Sequence, residues 1–590
     1  LVRRSARAIL VLFIVLLAAS GAALADDGAH PMPHLWTVTG SWLVPVGLGL
    51  LACGAVPPGR TAAVIRVGWL ALGVAVIGYW LCGFAFQFGG VGFVPNPHPD
   101  LAGLAREWAW QPLVATWGGS WGMLGLEGYM LRGAASTPTA LFLFLSQLPW
   151  ITTAVAIPLW SLQGRTRPLP LFLSGVLIAF VYTLLGNWTW GGGWLANLGL
   201  NLKLGHGFVD FYGIGAVHLA GAASALAGML AFGARRFARP DALPGSASNA
   251  DRCERATVSD LGSAERDVAQ DSAATDHDAY APMPPLHLPI LATLGTWLAV
   301  IGWIGWGQST PPHVTTGLNL LAAETFIGLA LATAGGAMVA IAFSWLTTGQ
   351  ANALMTARGA LGAAIAAGAG VPFVPFWAAL AIGAGAGLLV PLVQYLVEHL
   401  LRLDDPTSAI ATHGVPALWG LLTVGLFADG HAGQGWNGIG ADAYLDVEGQ
   451  GITGYLAATG YVGDWPGQFQ AQATGVVAIF LIAFFLSWLL FAAIQGLAHA
   501  WQGEYTIRLP KRPRHKRERP PTPQRRWPRI RIVRTEPEPD RGPAGETPRP
   551  APRRWRASLK DAFRHAVAKI ENVASRAKKT PRRDDAKTQK

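Results

Sequence analysis

The chain has 590 residues, of which 51% are hydrophobic and only 13% charged, with 72 glycines and 25 tryptophans. That balance excludes an ordinary soluble enzyme, which needs far more ionic surface, and points to a membrane protein. The net charge of +11 is concentrated after Gln502, so it describes a basic tail facing the cytoplasm rather than a nucleic-acid-binding face.

The chain opens with Arg3 and Arg4, an apolar run from Ala8 to Ala22, and Ala23-Leu24-Ala25 before Asp26. These are the three parts of a secretory signal peptide, residues 1–25, with cleavage expected after Ala25. An uncleaved anchor helix is the alternative, and it leaves the orientation of every later span unchanged. The three cysteines, Cys53, Cys82 and Cys253, suggest neither a disulfide framework nor a zinc spacing.

Residues 26–501 form the expected membrane domain. A bilayer core needs roughly 20 apolar residues per helix, and such runs lie near 35–55, 62–88, 136–162, 168–188, 209–234, 286–307, 318–346, 351–371, 374–401, 408–428 and 472–500. The expected fold class is therefore all-α and polytopic, with eleven transmembrane helices. Placing the N-terminus outside makes the linkers after odd-numbered helices cytoplasmic. These carry Arg60, Arg165, Arg167, Arg235, Arg236, Arg239 and Arg402, as the positive-inside rule requires. The opposite loop at 429–471 has five carboxylates and no Lys or Arg, which suits an extracytoplasmic loop. The segment 240–284 reads as a flexible cytoplasmic loop. The tail 502–590, Pro- and Arg-rich, reads as a largely disordered cytoplasmic segment; a short basic helix near 558–570 lying on the inner leaflet is an alternative for part of it.

Ionisable side chains inside apolar spans are costly and mark function by default, and two stand out. His218 lies in Gly215-Ala216-Val217-His218-Leu219 on the fifth run, and His413 in Ala411-Thr412-His413-Gly414 on the tenth. If helices one to five and six to ten are inverted repeats followed by a final helix, the two histidines meet near the bilayer midplane. Alternatively, each is a satisfied packing residue.

The neighbouring residues add a resemblance. Trp190-Gly191-Gly192-Gly193-Trp194-Leu195, then Asp210-Phe211-Tyr212-Gly213, then Val217-His218, together with Asp404-Asp405-Pro406 and His413-Gly414-Val415, resemble the two twin-histidine motifs of the Amt/Mep/Rh family of ammonium transporters, in its Amt branch. The resemblance covers roughly residues 62–500. It implies a homotrimer with one narrow pore per subunit, in which ammonium is gathered at an outer vestibule and ammonia passes the paired imidazoles of His218 and His413. Carried over residue by residue, the vestibule is Trp190, Thr310, Trp150 and Asp210, the pore gate is Trp150 and Trp306, and Trp303 supports the vestibule. Asp210 has a second reading as a helix N-cap, and the tryptophans a second reading as packing or interface residues.

Departures from the family are visible. Its gate carries phenylalanines where Trp150 and Trp306 stand, its third helix ends in Ala-Glu-Arg where this chain has Leu162-Gln163-Gly164-Arg165, and Ser408 replaces a frequent Asp. The family's tail meets a cytoplasmic signalling protein; no such tail is recognisable in 502–590, which leaves that partner open. An ammonium sensor of the same fold and a neutral gas channel of the Rh type are the alternative functions. No P-loop, His-Glu-x-x-His or Gly-x-Ser-x-Gly motif occurs in the spans, so an enzyme is not expected, and no cofactor or metal is implied.

Overall fold

The structure, a computed structural model, describes residues 38–233, 287–308 and 322–504. The expected signal peptide, the loop 240–284, Thr310, Cys253 and the tail beyond 504 lie outside the described residues.

The apolar helices are α1 (Leu43–Gly54), α2 (Pro58–Gly78), α3 (Pro138–Leu162), α4 (Pro168–Trp190), α5 (Ile214–Phe232), α6 (His287–Gln308), α7 (Ala322–Thr348), α8 (Ala353–Gly368), α9 (Phe376–Tyr395), α10 (Ala409–Phe427) and α11 (Gly467–Glu504). Among the described residues nine helices are long and apolar enough to cross a membrane. The other two, α1 and α8, span 12 and 16 residues, shorter than the runs read at 35–55 and 351–371.

Sequence punctuation explains the starts. Pro58, Pro138 and Pro168 each stand in a first turn, where the missing N–H costs nothing. Thr137 caps α3 by accepting from the Ala140 N–H at 3.3 Å, and Asn352 caps α8 by accepting from Met355 at 2.9 Å.

Small residues set the closest crossings. A side chain on Gly383 or Gly387 of α9 would collide with the backbone of Ala332 or Gly336 of α7, and one on Gly336 would collide with Ala363 of α8. Such faces let helices approach where lipid offers no hydrophobic drive. The same device joins α1 to α6, where Gly47, Gly54 and Gly302 each face partner backbone.

The fold is not purely helical, because two small antiparallel hairpins interrupt the connections. One pairs β1 (Glu107–Ala109) with β2 (Gly122–Gly125); the other pairs β3 (Ala443–Tyr444) with β4 (Val447–Glu448). Both fall in loops between spans, where the chain is short of the continuous apolar runs that enforce helix. Among the described residues four π-helical turns adjoin these helices, at Tyr79–Gly83 after α2, Ile214–Leu219 opening α5, Leu396–Leu400 after α9 and Ala409–Gly414 opening α10.

Candidate functional site, a histidine pair behind an aromatic cluster

The two histidines ride on the opening π turns of α5 and α10, and each turn is built by the same local device. At the first, the Asp210 carboxylate accepts the Gly215 N–H at 3.0 and 3.1 Å and the Ala216 N–H at 3.2 Å. At the second, the Asp405 carboxylate accepts the Ile410 N–H at 2.9 Å. Each corner turns through a left-handed residue, Gly213 (φ 65°) and Ser408 (φ 57°). In both, the capped N–H lies five residues after the aspartate and the histidine three beyond that. The carboxylates satisfy amides that would otherwise be orphaned at a buried helix start.

These corners bring the imidazoles together. His218 Nδ1 and His413 Nδ1 are 3.0 Å apart, with ring planes 1° apart and centroids at 5.2 Å. Both rings are buried. In a neutral pair one Nδ1 must donate and the other accept, so the two rings hold opposite tautomers.

Four tryptophans lie on one side of the pair. Trp150 of α3 stacks on Trp306 of α6 with centroids 4.6 Å apart and an interplanar angle of 22°, and it meets Trp190 edge-on at 4.8 Å. Trp190 and Trp306 are anchored through their indole N–H groups to the carbonyls of Asp210 and Tyr212, both at 3.1 Å. Trp303 sits 5.8 Å from His218. All four are essentially inaccessible. Gly213 is required here: a Cβ would sit 2.6 Å from both the Trp150 and Trp190 rings. On the other side His413 lines a cavity of about 10 Å³ with Leu48, Leu51, Ile157, Trp160 and Thr407, room for about one water-sized molecule.

The sequence-expected residues His218, His413, Trp150, Trp306, Trp303, Trp190 and Asp210 thus lie in one continuous assembly. Trp190, read with the fifth-helix stretch, is the last residue of α4. Its ring reaches the α5 corner because the turn through Gly191 and Gly192 folds the chain back.

Sequence reasoning missed the polar braces. Gln87 donates to Gln147 at 3.0 Å, and Gln147 also accepts from Tyr182 at 2.8 Å. This knot ties the end of the second span to α3 and α4, one turn before Trp150. Gln472 of α11 donates to the carbonyls of Val209 and Leu421 and accepts from the Val209 N–H, fixing the strand that enters the Asp210 corner. Arg165 bonds the carbonyls of Ser161, Gly233 and Asp404, joining the ends of α3 and α5 to the Asp405 corner. Amides and a buried guanidinium inside apolar surroundings were the available signal.

The ammonium transporter family model matches residues 35–249 and 277–500. The chain belongs to the ammonium transporter family. It is 27% identical over 496 residues to ammonium transporter Amt2 of Archaeoglobus fulgidus, covering 82% of this chain and 88% of that one. Against ammonium transporter 1 member 3 of Solanum lycopersicum the identity is 24%, covering 74% and 81%. In fold it is similar to a sensor Amt protein (TM-score 0.52, 21% identity, 79% of this chain and 93% of that one) and to Candida albicans Mep2 (TM-score 0.53, 20% identity, 79% and 84%). This ammonium transporter family member is accordingly a multi-pass membrane protein with a transport role.

Proposed function

We propose that the chain carries ammonium across a membrane through a pore of its own in each subunit of a homotrimer, with the His218–His413 pair as its proton-handling element. The proposed topology has eleven spans, an inverted repeat of five plus five and a last helix, with the Asp210 corner toward the outside and the Asp405 corner toward the cytoplasm. The observation that carries the reading is the 3.0 Å contact between two buried imidazoles behind stacked aromatic rings.

The physical reasoning runs from outside inward. An ammonium ion entering the protein sheds its hydration, and aromatic faces return part of that, each contributing about 0.5–2 kcal/mol. Trp190 and Trp150, with Thr310 and Asp210, form the proposed vestibule. Asp210, already bound to helix-start amides, adds negative charge near that vestibule. Trp150 and Trp306 form the proposed gate, and Trp303 supports the vestibule. Beyond the gate neutral ammonia crosses an apolar lumen far more easily than any cation. A path that requires surrender of a proton therefore rejects potassium and sodium, which have none to give. Histidine suits the task because either ring nitrogen donates or accepts.

The test is a proteoliposome layer on a solid-supported membrane given an ammonium pulse. A transient current that potassium does not evoke and that His218→Ala abolishes supports the reading. Ammonium binding without flux in the wild type overturns it in favour of a sensor of the same fold.

A further inference from the structure

His206 is a buried histidine that the proposed pore does not use. It lies between α4 and α5, four residues before Asp210, and is inaccessible. Neither ring nitrogen has a hydrogen-bond partner among the described residues. A neutral imidazole carries one N–H and one lone pair, and leaving both unmet in a buried site calls for a reason. The walls around the ring come from the loop 429–471. Tyr444 of β3 packs on it, with centroids 4.3 Å apart at 56°, and a Cβ on Gly440 would lie 3.2 Å from Nε2. The same loop grips the backbone, because Asn437 donates to the carbonyls of His206 at 2.8 Å and Phe208 at 3.3 Å. Asn437 and Gly438 also line a cavity of about 20 Å³ together with Trp190 and Asn197. One segment, 436–444, therefore closes over both His206 and the space beside Trp190.

Little faces the ring that could hold a positive charge. The Asp464 carboxylate, just before α11, accepts the Tyr444 hydroxyl at 2.9 Å, and Gln468 of α11 accepts the His206 backbone N–H at 2.9 Å. Lys203 on the histidine's own segment is exposed, as are Asp442, Asp446 and Glu448 of the hairpin. His431, in the same loop, is exposed and stands 3.2 Å from Asp429. Among the described residues no carboxylate forms an ion pair with His206. Burial lowers the pKa of its imidazole from 6.5 to about 3. We infer that His206 is the proton-sensitive catch of a lid: while neutral it lets the segment 436–444 close over the cavity beside Trp190, and on protonation it drives that segment off, opening the vestibule in acid medium. The closed lid binds fewer protons than the lifted one, in which the ring meets water. Closure is therefore fully favoured above about 6.5 and loses ground as pH falls toward about 3. The inference rests on the transport reading for what the lid guards, and not for whether it moves.

The test is hydrogen exchange of the full chain in lipid nanodiscs, with each amide's rate divided by that of an unstructured peptide at the same pH. In wild type, protection of residues 436–444 falls about tenfold between about pH 7.5 and about pH 5.5, the gain in lifted lid that an exposed imidazole of ordinary pKa gives. His206→Phe keeps a ring against Tyr444 and cannot take the proton, so its protection is the same at both values. His206→Gln makes the same test if the phenylalanine variant does not assemble. His431→Gln keeps the acid response. A response that survives in the His206 variants, or that vanishes in His431→Gln, would overturn the proposal. So would wild-type protection that stays constant or rises in acid, a rise meaning that the Tyr444 ring face holds the imidazolium. Exchange is read without flux, so a wild type with this acid response but no ammonium current counts against the transport reading alone.

Discussion

Nδ1 of His218 and Nδ1 of His413 stand 3.0 Å apart, with the two ring planes parallel to within 1°. The contact uses one nitrogen of each ring and fixes which nitrogen remains for anything else. His218 Nε2 has no partner among the described residues, so it is the atom of that ring open to a permeant molecule. Replacing His218 by alanine removes the contact and leaves His413 with a buried unsatisfied nitrogen, at about 1–3 kcal/mol. The expected outcome is a folded protein whose ammonium flux falls at least about tenfold, read by current amplitude alongside a thermal melt. Unchanged flux would show that the pair only packs.

The stack of Trp150 on Trp306 predicts a different response. Trp150 is buried, and its indole N–H finds no acceptor among the described residues. Phenylalanine keeps an aromatic face and removes an unsatisfied donor, so Trp150→Phe is expected to preserve or raise ammonium flux in the same assay. Complete loss would mean that the N–H itself serves the permeant species.

Gly213 tests whether the aromatic cluster depends on the backbone of the corner. Its φ of 65° costs an L side chain roughly 1–2 kcal/mol, and a Cβ 2.6 Å from two indole rings must displace one of them. Gly213→Ala is expected to lower the melting temperature and to reduce flux together. Gly449, also at positive φ (68°) and with no atom within 4 Å of an added Cβ among the described residues, serves as the control: Gly449→Ala carries backbone strain only, so its flux stays near wild type.

Glu107 gives a pH prediction outside the spans. It sits on β1 against Gly90 and Gly122, with one carboxylate oxygen accepting from Ser120 at 3.4 Å and the other without a hydrogen-bond partner among the described residues. Burial lifts its carboxyl from 4.5 to about 7. Because the folded form holds this proton more tightly than the unfolded chain, the contribution to stability is full below about 4.5 and is lost as pH rises through about 7. Glu107→Gln imitates the protonated form. Its melting temperature should match wild type near about pH 4 and exceed it near about pH 8, the two sides of that window. The same offset at both values would remove Glu107 as the cause.

The spans were legible because a run of apolar residues bounded by prolines reads the same from sequence as from structure: Pro138–Leu162 and Pro168–Trp190 fall within two residues of the runs at 136–162 and 168–188. The shorter α1 and α8 were harder to bound, since Gly- and Ala-rich stretches remain apolar beyond the point where their backbone leaves the helix. The Asp-to-His spacing was legible too, because it is local. What a tryptophan touches is set by how helices cross, so the pairing of Trp150 with Trp306, more than a hundred residues apart, could be reached only through the family resemblance. Gln472 and the Gln87–Gln147 link carried no local pattern. Each is a single polar side chain in an apolar run, and its partner is a carbonyl or amide that sequence cannot point to. The hairpin at 107–125 was missed because three- and four-residue strands produce no usable alternation.

Both imidazoles are carried on π-helical turns, Ile214–Leu219 and Ala409–Gly414, and such a turn accommodates one residue more than an α-helical turn does. Deleting a single residue from either segment would restore ordinary winding and rotate the histidine by about 100° relative to the helix that follows. Hydropathy would hardly register the change, yet the ring would swing off its partner. The alignment of the two rings is therefore an arithmetic property of the chain, vulnerable to a lost codon in a way that the surrounding apolar residues are not.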